Sequence, residues 1–210
     1  MHRCIYVHQN LLWLFVRSES RTERNKREVR GRIVAAAAEL FDEHGVEATK
    51  VEAICDQADI ALRTFFNHFP TKRDVVDQLA IDATSEVAAR VRSVHAQGRS
   101  TRERLELFFA QSIEASLRGG PTHRELLAAL VAVPVGAENL RAAREPMLDL
   151  LRDGVAAGDI ASDHAVETLA DVVIGTFYRI IIDWTNTDDY EIREHLSNAC
   201  RFLCDAIAPE

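Results

Sequence analysis

Arg63 is the residue whose chemistry is easiest to read. It stands in a short segment, Ala61 to Asn67, read as a helix, with Leu62, Arg63, Phe66 and Asn67 facing out and Phe65 facing in. Phe69, four residues on, continues the inward side. A guanidinium can bridge the two major-groove acceptors of guanine, and Leu62 and Thr64 can touch a thymine methyl. Asn67 and His68 stand beside them. Thr49 and Lys72 fall at the starts of the flanking helices, where backbone N–H groups and a hydroxyl or ammonium can hold phosphates. This is the chemistry of nucleic-acid recognition.

These side chains need a frame to present them. Thr49-Lys50-Val51-Glu52 has the capping-box pattern and predicts a helix start, with Val51, Ile54 and Ala58 at helical spacing behind it. Asp59 tolerates the left-handed conformation a tight turn needs, and Ile60 can plug the gap between two helices. Pro70 ends the second helix, and Thr71-Lys72-Arg73-Asp74 is a second capping box. Two short helices joined by a tight turn form a helix-turn-helix, which sets its second helix in the major groove. Ahead of it, Val29, Ile33, Ala37, Leu40 and Phe41 predict a helix from about Asn25 to His44, stopped at Gly45.

The run from Arg30 to Val76 resembles the N-terminal DNA-binding domain of the TetR family of transcriptional regulators. The likeness is carried by Ala37, Ala38, Leu40, Phe41, Gly45, Thr49, Ile54, Ala58, Ile60, Thr64, His68-Phe69-Pro70 and Lys72. A looser likeness surrounds DGVAAGDI, residues 153–160. The chain departs from the family pattern at Phe66, where Tyr is common, at Asp59, often Gly, and at Ala61, often Ser. The resemblance implies that a small molecule binds among the C-terminal helices and shifts the spacing of two DNA-reading heads.

Composition agrees with a helical protein. The chain has 210 residues, nearly half hydrophobic, with only five Pro and nine Gly, and no alternating Val/Ile/Thr-rich stretch. The fold is therefore read as all-α, with about nine helices. Residues 1–24 are expected as a flexible tail, 25–73 as the helix-turn-helix domain, and 74–210 as a helical ligand-binding and dimerisation domain. An alternative start near Val16 would remove the first residues from the native chain. The net charge of −8 is unevenly spread. Residues 1–73 carry 12 Lys/Arg against 10 Asp/Glu, and residues 74–210 carry 13 against 23. A DNA-reading end joined to an acidic body fits that asymmetry. Seven basic residues between Arg17 and Arg32 are open to two readings, a solvated helix start or phosphate contact.

Beyond the head, Ser100-Thr101-Arg102-Glu103 and Thr122-His123-Arg124-Glu125 read as further capping boxes, and Ser162 or Asp163 as a cap. The first box opens a helix with Leu105, Phe108, Phe109, Ser112 and Ile113 inward. Pro146 should kink or restart the helix around it. Val172 to Trp184 is apolar nearly all round, and the last helix carries Ile192, Leu196, Cys200, Leu203 and Ile207 on one stripe. Two terminal helices so apolar predict a homodimer through a four-helix interface. Candidate effector-pocket residues are Phe109, Ile113, Leu127, Met147, Phe177, Tyr178 and Trp184, with Ser112 and Arg179 as polar neighbours, for a small apolar or amphipathic molecule.

Other function classes find little support. No Gly-rich phosphate loop, G-x-S-x-G, H-E-x-x-H or Cys-pair zinc pattern is present, so no catalytic, cofactor or metal site is expected. Cys200 and Cys204 read as core packing before a thiol sensor or half a metal site with His195. His123 and His164 are read as surface residues. No stretch reaches the roughly 18 apolar residues of a membrane span, and four Cys fit a reducing cytoplasm. The expected function is a ligand-released repressor binding a palindromic double-stranded operator as a homodimer. The alternative is a helical small-molecule-binding or protein-interaction module that has lost DNA binding.

Overall fold

A computed structural model describes residues 20–118, 121–133, 137–161 and 164–209. Among the described residues it is all-α. Ser20 starts α1 (Arg21–His44): its hydroxyl accepts from the Glu23 amide at 3.1 Å, and Glu23 reaches back to the Ser20 amide. The helix therefore begins before Asn25, and residues 21–24 belong to it rather than to a tail. The rest of the expected tail, residues 1–19, and the possible start near Val16 lie outside the described residues. Gly45, at φ +83°, ends α1 as expected.

Next come α2 (Val51–Ala58) and α3 (Leu62–His68), then α4 (Lys72–His95). Asp59 makes the turn between α2 and α3 in the left-handed conformation, φ 51° and ψ 59°. The Thr71–Asp74 box opens α4: the Thr71 amide donates to the Asp74 carboxylate at 2.7 Å. Hydrogen bonds from Thr71 hold that carboxyl below its ordinary range. Ile33, Phe41, Ile54, Phe65, Phe69 and Val75 are fully buried and form the core of this head. Each such side chain removed from water contributes up to roughly 2–3 kcal/mol.

The body comprises α5 (Thr101–Leu117), α6 (Pro121–Val131), α7 (Ala137–Ala157), α8 (Val166–Asn186) and α9 (Ile192–Ala206). Ser100 and Glu103 cap α5 reciprocally, as their spacing predicts. At α6 the expectation fails. The helix starts at Pro121, whose missing N–H costs nothing in a first turn, so Thr122 lies inside it. Ser162 and Asp163 lie outside the described residues, and α8 begins beyond them with Ala165 at the cap position. Pro146 does not restart α7, which runs through it as one helix. Met147, Leu150 and Leu151 on that helix are fully buried.

Two hydrophobic clusters organise the chain, and α4 belongs to both. Val75, Val76 and Ala80 pack with the head, while Val87, Val91 and Val94 pack with the body. Packing thus carries the head's core past residue 73. Leu126 and Leu130 of α6 join the head's cluster too, and α6 touches α1, α4 and α8. In the body, α7 lies along α4 and α8, and α9 packs on α5 and α8. Thr101, fully buried, donates through its amide to Asp159 at 2.9 Å and approaches Gly154 of α7 closely.

Candidate nucleic-acid interface and effector cavity

The short helix α3 has two different faces. Phe65 is completely buried, as is Phe69 beyond its end, and their rings lie 6.1 Å apart against the head's core. On the opposite side Leu62 is 42% and Phe66 47% exposed, large apolar side chains left to solvent. Arg63 and Asn67 are exposed beside them, and Thr64 and His68 are half-buried at the edge. Six residues of the predicted reading set, Arg63 among them, are thus wholly or partly accessible on or beside α3. Burial, then the nearby Arg30 and Lys26 charges, lowers the His68 pKa and favours the neutral ring.

The helix is held from behind by α1. Arg30 lies over the Phe69 ring at 4.0 Å, donates to the His68 carbonyl at 3.0 Å and to Gln78 at 2.8 Å. Arg32 donates to the Ala58 carbonyl at 3.0 Å, at the end of α2. Both satisfy carbonyls that a helix end leaves open. Two of the seven basic residues therefore fasten the motif internally. Arg17 lies outside the described residues, while Arg21, Arg24 and Lys26 are exposed along the start of α1.

Two predicted phosphate-holding side chains are otherwise engaged. Thr49 is only 4% exposed, and its hydroxyl donates to the Gly45 carbonyl at 2.8 Å. The cap position of α2 is Lys50, without a side-chain cap, so the Thr49–Glu52 box does not form. The Lys72 ammonium donates to the carbonyls of Val46 at 2.6 Å, Glu47 at 3.3 Å and Thr49 at 3.1 Å. An ammonium has three protons, and these three acceptors take them. Both residues shape the loop before α2 through their side chains.

A cavity of about 740 Å³ opens among α4, α5, α6, α7 and α8. Leu127, Phe177 and Tyr178 line it as predicted, and Ser112 supplies a polar neighbour. Phe109, Ile113, Met147 and Trp184 do not line it and are buried core residues. Phe109 packs edge-on against Phe108, and the Trp184 carbonyl accepts from Arg124 at 2.9 Å. Arg179 points elsewhere and pairs with Asp183 at 2.5 Å. The expected lining, apolar residues with Ser112 and Arg179 as polar neighbours, missed the cations that are there: Arg90, Arg118, Arg141, Arg144 and His123 all border the cavity. One signal was available, since Arg90 sits between Val87 and Val91 on the buried side of α4. His123, read as a surface residue, pairs with Asp42 of α1 at 2.5 Å and ties the cavity's edge to the head.

Cys200 and Cys204 are buried on one face of α9. The Cys200 thiol is pushed above its ordinary range by its hydrogen bond to Cys204 and by burial. His195 is exposed and stacks on Tyr190 at 4.1 Å, and no cluster of three metal-ligating side chains occurs among the described residues. No helix among them is long and apolar enough to cross a membrane.

Comparison with known proteins agrees with this geometry. Residues 33–79 match the family model described as bacterial regulatory proteins, tetR family. The transcriptional repressor KstR2 of Mycobacterium tuberculosis is 35% identical over 86 residues, 41% of this chain and 43% of that protein, so this match spans less than half of the relative. KstR2 of Rhodococcus jostii is 30% identical over 144 residues, 66% of this chain and 71% of its own length. In structure, the chain resembles Thermus thermophilus FadR, a repressor solved with lauroyl-CoA, with TM-score 0.65 and 24% identity over 86% of this chain and 96% of that one. The presented face of α3, the matched motif and the relative shared over most of its length lead to one conclusion: the chain belongs to the TetR family.

Proposed function

We propose that the protein is a ligand-responsive transcriptional repressor that binds a palindromic operator as a homodimer and leaves it when a small amphipathic molecule fills the body cavity. The observation carrying this reading is the outer face of α3, where Leu62, Arg63, Phe66 and Asn67 stand exposed over a fully buried aromatic base. Arg63 reads a guanine, Leu62 and Thr64 a thymine methyl, and Asn67 and His68 flank them. Phe66 lacks the hydroxyl that would contact phosphate and adds an apolar edge instead. A two-fold dimer places two such helices in successive major grooves. Val172 of α8, 45% exposed, and Phe202 of α9, 71% exposed, supply apolar surface for that dimer. Function on DNA places the protein in the cytoplasm.

The cavity supports the effector half of the reading. Its size falls within the roughly 300–1,000 Å³ usual for small-molecule sites, and its lining joins apolar side chains to arginines. The related FadR structure holds lauroyl-CoA, a molecule of the same mixed character. Because α6 borders the cavity and also enters the head's core, a filled cavity biases the head's position.

The test is a mobility-shift titration with DNA flanking the protein's own gene. Wild type should bind with affinity falling steeply with salt. Arg63→Ala should cost about 1–3 kcal/mol, concentrated at one base position of each half-site. Phe202→Glu should yield monomers in sedimentation and abolish the shift. DNA association that is absent or indifferent to salt, with tight binding of an apolar ligand, would instead mark a helical carrier that has lost DNA binding.

A further inference from the structure

Among the described residues, one cation in the lining of the body cavity has no counter-ion. Arg90 lies midway along α4 and is half-buried, with Val87 and Val91 beside it in the core. Its guanidinium makes one long hydrogen bond, 3.4 Å to the Ser112 hydroxyl, whose own proton goes to the Phe108 carbonyl at 2.7 Å. Among the described residues no carboxylate stands within ion-pair reach of it. Glu86, one turn earlier on α4, borders the same cavity without closing on Arg90. A second cation, Arg118 at the end of α5, borders the cavity near Arg90 and also forms no ion pair among the described residues.

The neighbouring charges do not cancel this excess. Arg144 is engaged by Asp171, and His123 by Asp42. Among the described residues Arg90, Arg118 and Arg141 therefore face Glu86 alone, leaving two positive charges in excess along the lining. A half-buried guanidinium with no partner anion is costly. Burial and the nearby Arg118 charge both work against the protonated form of Arg90, with burial first, and Glu86 only partly offsets them.

A second unfilled polar group adjoins the first. The Tyr178 hydroxyl is buried and has no hydrogen-bond partner among the described residues. The Thr84 hydroxyl is its nearest polar neighbour, engaged with the Ala80 carbonyl at 3.0 Å and outside hydrogen-bonding reach of the phenol. A buried phenol ordinarily finds an acceptor. Thus two donors on different helices border one cavity: Arg90 on α4, with N–H groups beyond its bond to Ser112, and Tyr178 on α8, with no acceptor among the described residues.

We infer that Arg90 and Tyr178, with Arg118 nearby, form a binding subsite for the oxyanion of the effector, so that the cavity takes an amphipathic anion rather than a neutral apolar molecule. The planar fork of Arg90 suits two oxygens of a carboxylate or phosphate, and the Tyr178 hydroxyl donates to one of them. The apolar part lies along Leu127, Phe177 and Ile181. This inference rests on the proposal that the cavity is the effector site.

Calorimetric titration of the full chain with matched ligands tests it. Dodecanoate, dodecyl phosphate and lauroyl-CoA carry oxyanions, and dodecan-1-ol has the same chain without one. At least one anion should bind tenfold or more tighter than the alcohol. Arg90→Gln should bring that ratio to within about twofold, a fivefold or greater loss of preference, about 1 kcal/mol or more. Tyr178→Phe, which removes one oxygen only, should narrow the ratio, weakening the anions more than dodecan-1-ol. A preference for dodecanoate makes the anion a carboxylate, and one confined to dodecyl phosphate or lauroyl-CoA makes it a phosphate. Equal affinity for alcohol and anions in the wild type, no binding of any of the four, or a preference that survives both variants overturns the inference. A mobility shift on the same wild-type preparation separates the two ideas. Lost DNA binding with the anion preference intact refutes the regulator reading alone, and the reverse refutes the subsite alone.

Discussion

Lys72 offers a choice between two physical roles that a single substitution separates. Its position at the start of α4, one residue after the Thr71 cap, suits a phosphate contact. Its geometry assigns it to the loop between α1 and α2, where three carbonyls accept from its ammonium at 2.6, 3.1 and 3.3 Å. Lys72→Met keeps most of the stem and removes all three bonds. Hydrogen bonds to a charged group contribute about 1.5–3 kcal/mol each when enclosed. Lys72 is half-exposed and one contact is long, so screening reduces the sum to about 2 kcal/mol. For a chain of this size that lowers the melting temperature by about 4–8 °C. The assay pairs thermal unfolding with the salt dependence of DNA binding. A loop clamp predicts lower stability, weaker binding to every operator variant and an unchanged salt slope. A phosphate contact predicts unchanged stability and a slope shallower by about 1 per head. The second outcome would refute the assignment.

Three further predictions concern stability. Ala61 occupies the cap position of α3 in extended geometry, with no side-chain acceptor. Ala61→Ser should stabilise the protein by about 1 kcal/mol in chemical denaturation. A Cβ at Gly154 would collide with the Thr101 hydroxyl and lie 3.1 Å from its methyl. Gly154→Ala should therefore cost about 1–3 kcal/mol, with part recovered when Thr101→Ala is added. The pKa of His68 is lowered from about 6.5 in the folded chain. Below that pH the unfolded state binds more protons, so stability falls as pH drops through 6.5 towards the folded value. His68→Gln should flatten that part of the curve of urea midpoint against pH, and an unchanged curve would contradict it.

Local pattern made α3 and its surroundings legible. Phe65 and Phe69 at spacing four, Pro70 after them and the Thr71–Asp74 box are all short-range signals, and all describe the folded chain. The left-handed turn at Asp59 was legible for the same reason. The Ser20–Glu23 box follows the same pattern, but it precedes a charged stretch with no apolar rhythm before Val29, so the start of α1 was placed late. Thr49 misled because a capping pattern does not reveal that a hydroxyl has nearer tertiary acceptors, here the Gly45 and Leu40 carbonyls. In the cavity, apolar residues on inward stripes could not be sorted into core and lining. That division depends on how five helices diverge, which no single helix encodes. Arg90, a charge inside a valine stripe, was a signal that the apolar pattern passed over.

Two side chains have a double position. Ala80 of α4 and Leu130 of α6 are members of the head's core and also border the body cavity. A substitution at either one alters the shape offered to an effector and the seating of the reading head together. Ser116 and Gly175 border the same cavity without belonging to either core cluster. Under the proposed function, substitutions at Ser116 or Gly175 should retune the effector at little cost to operator recognition, while those at Ala80 or Leu130 should also need compensating changes in the head.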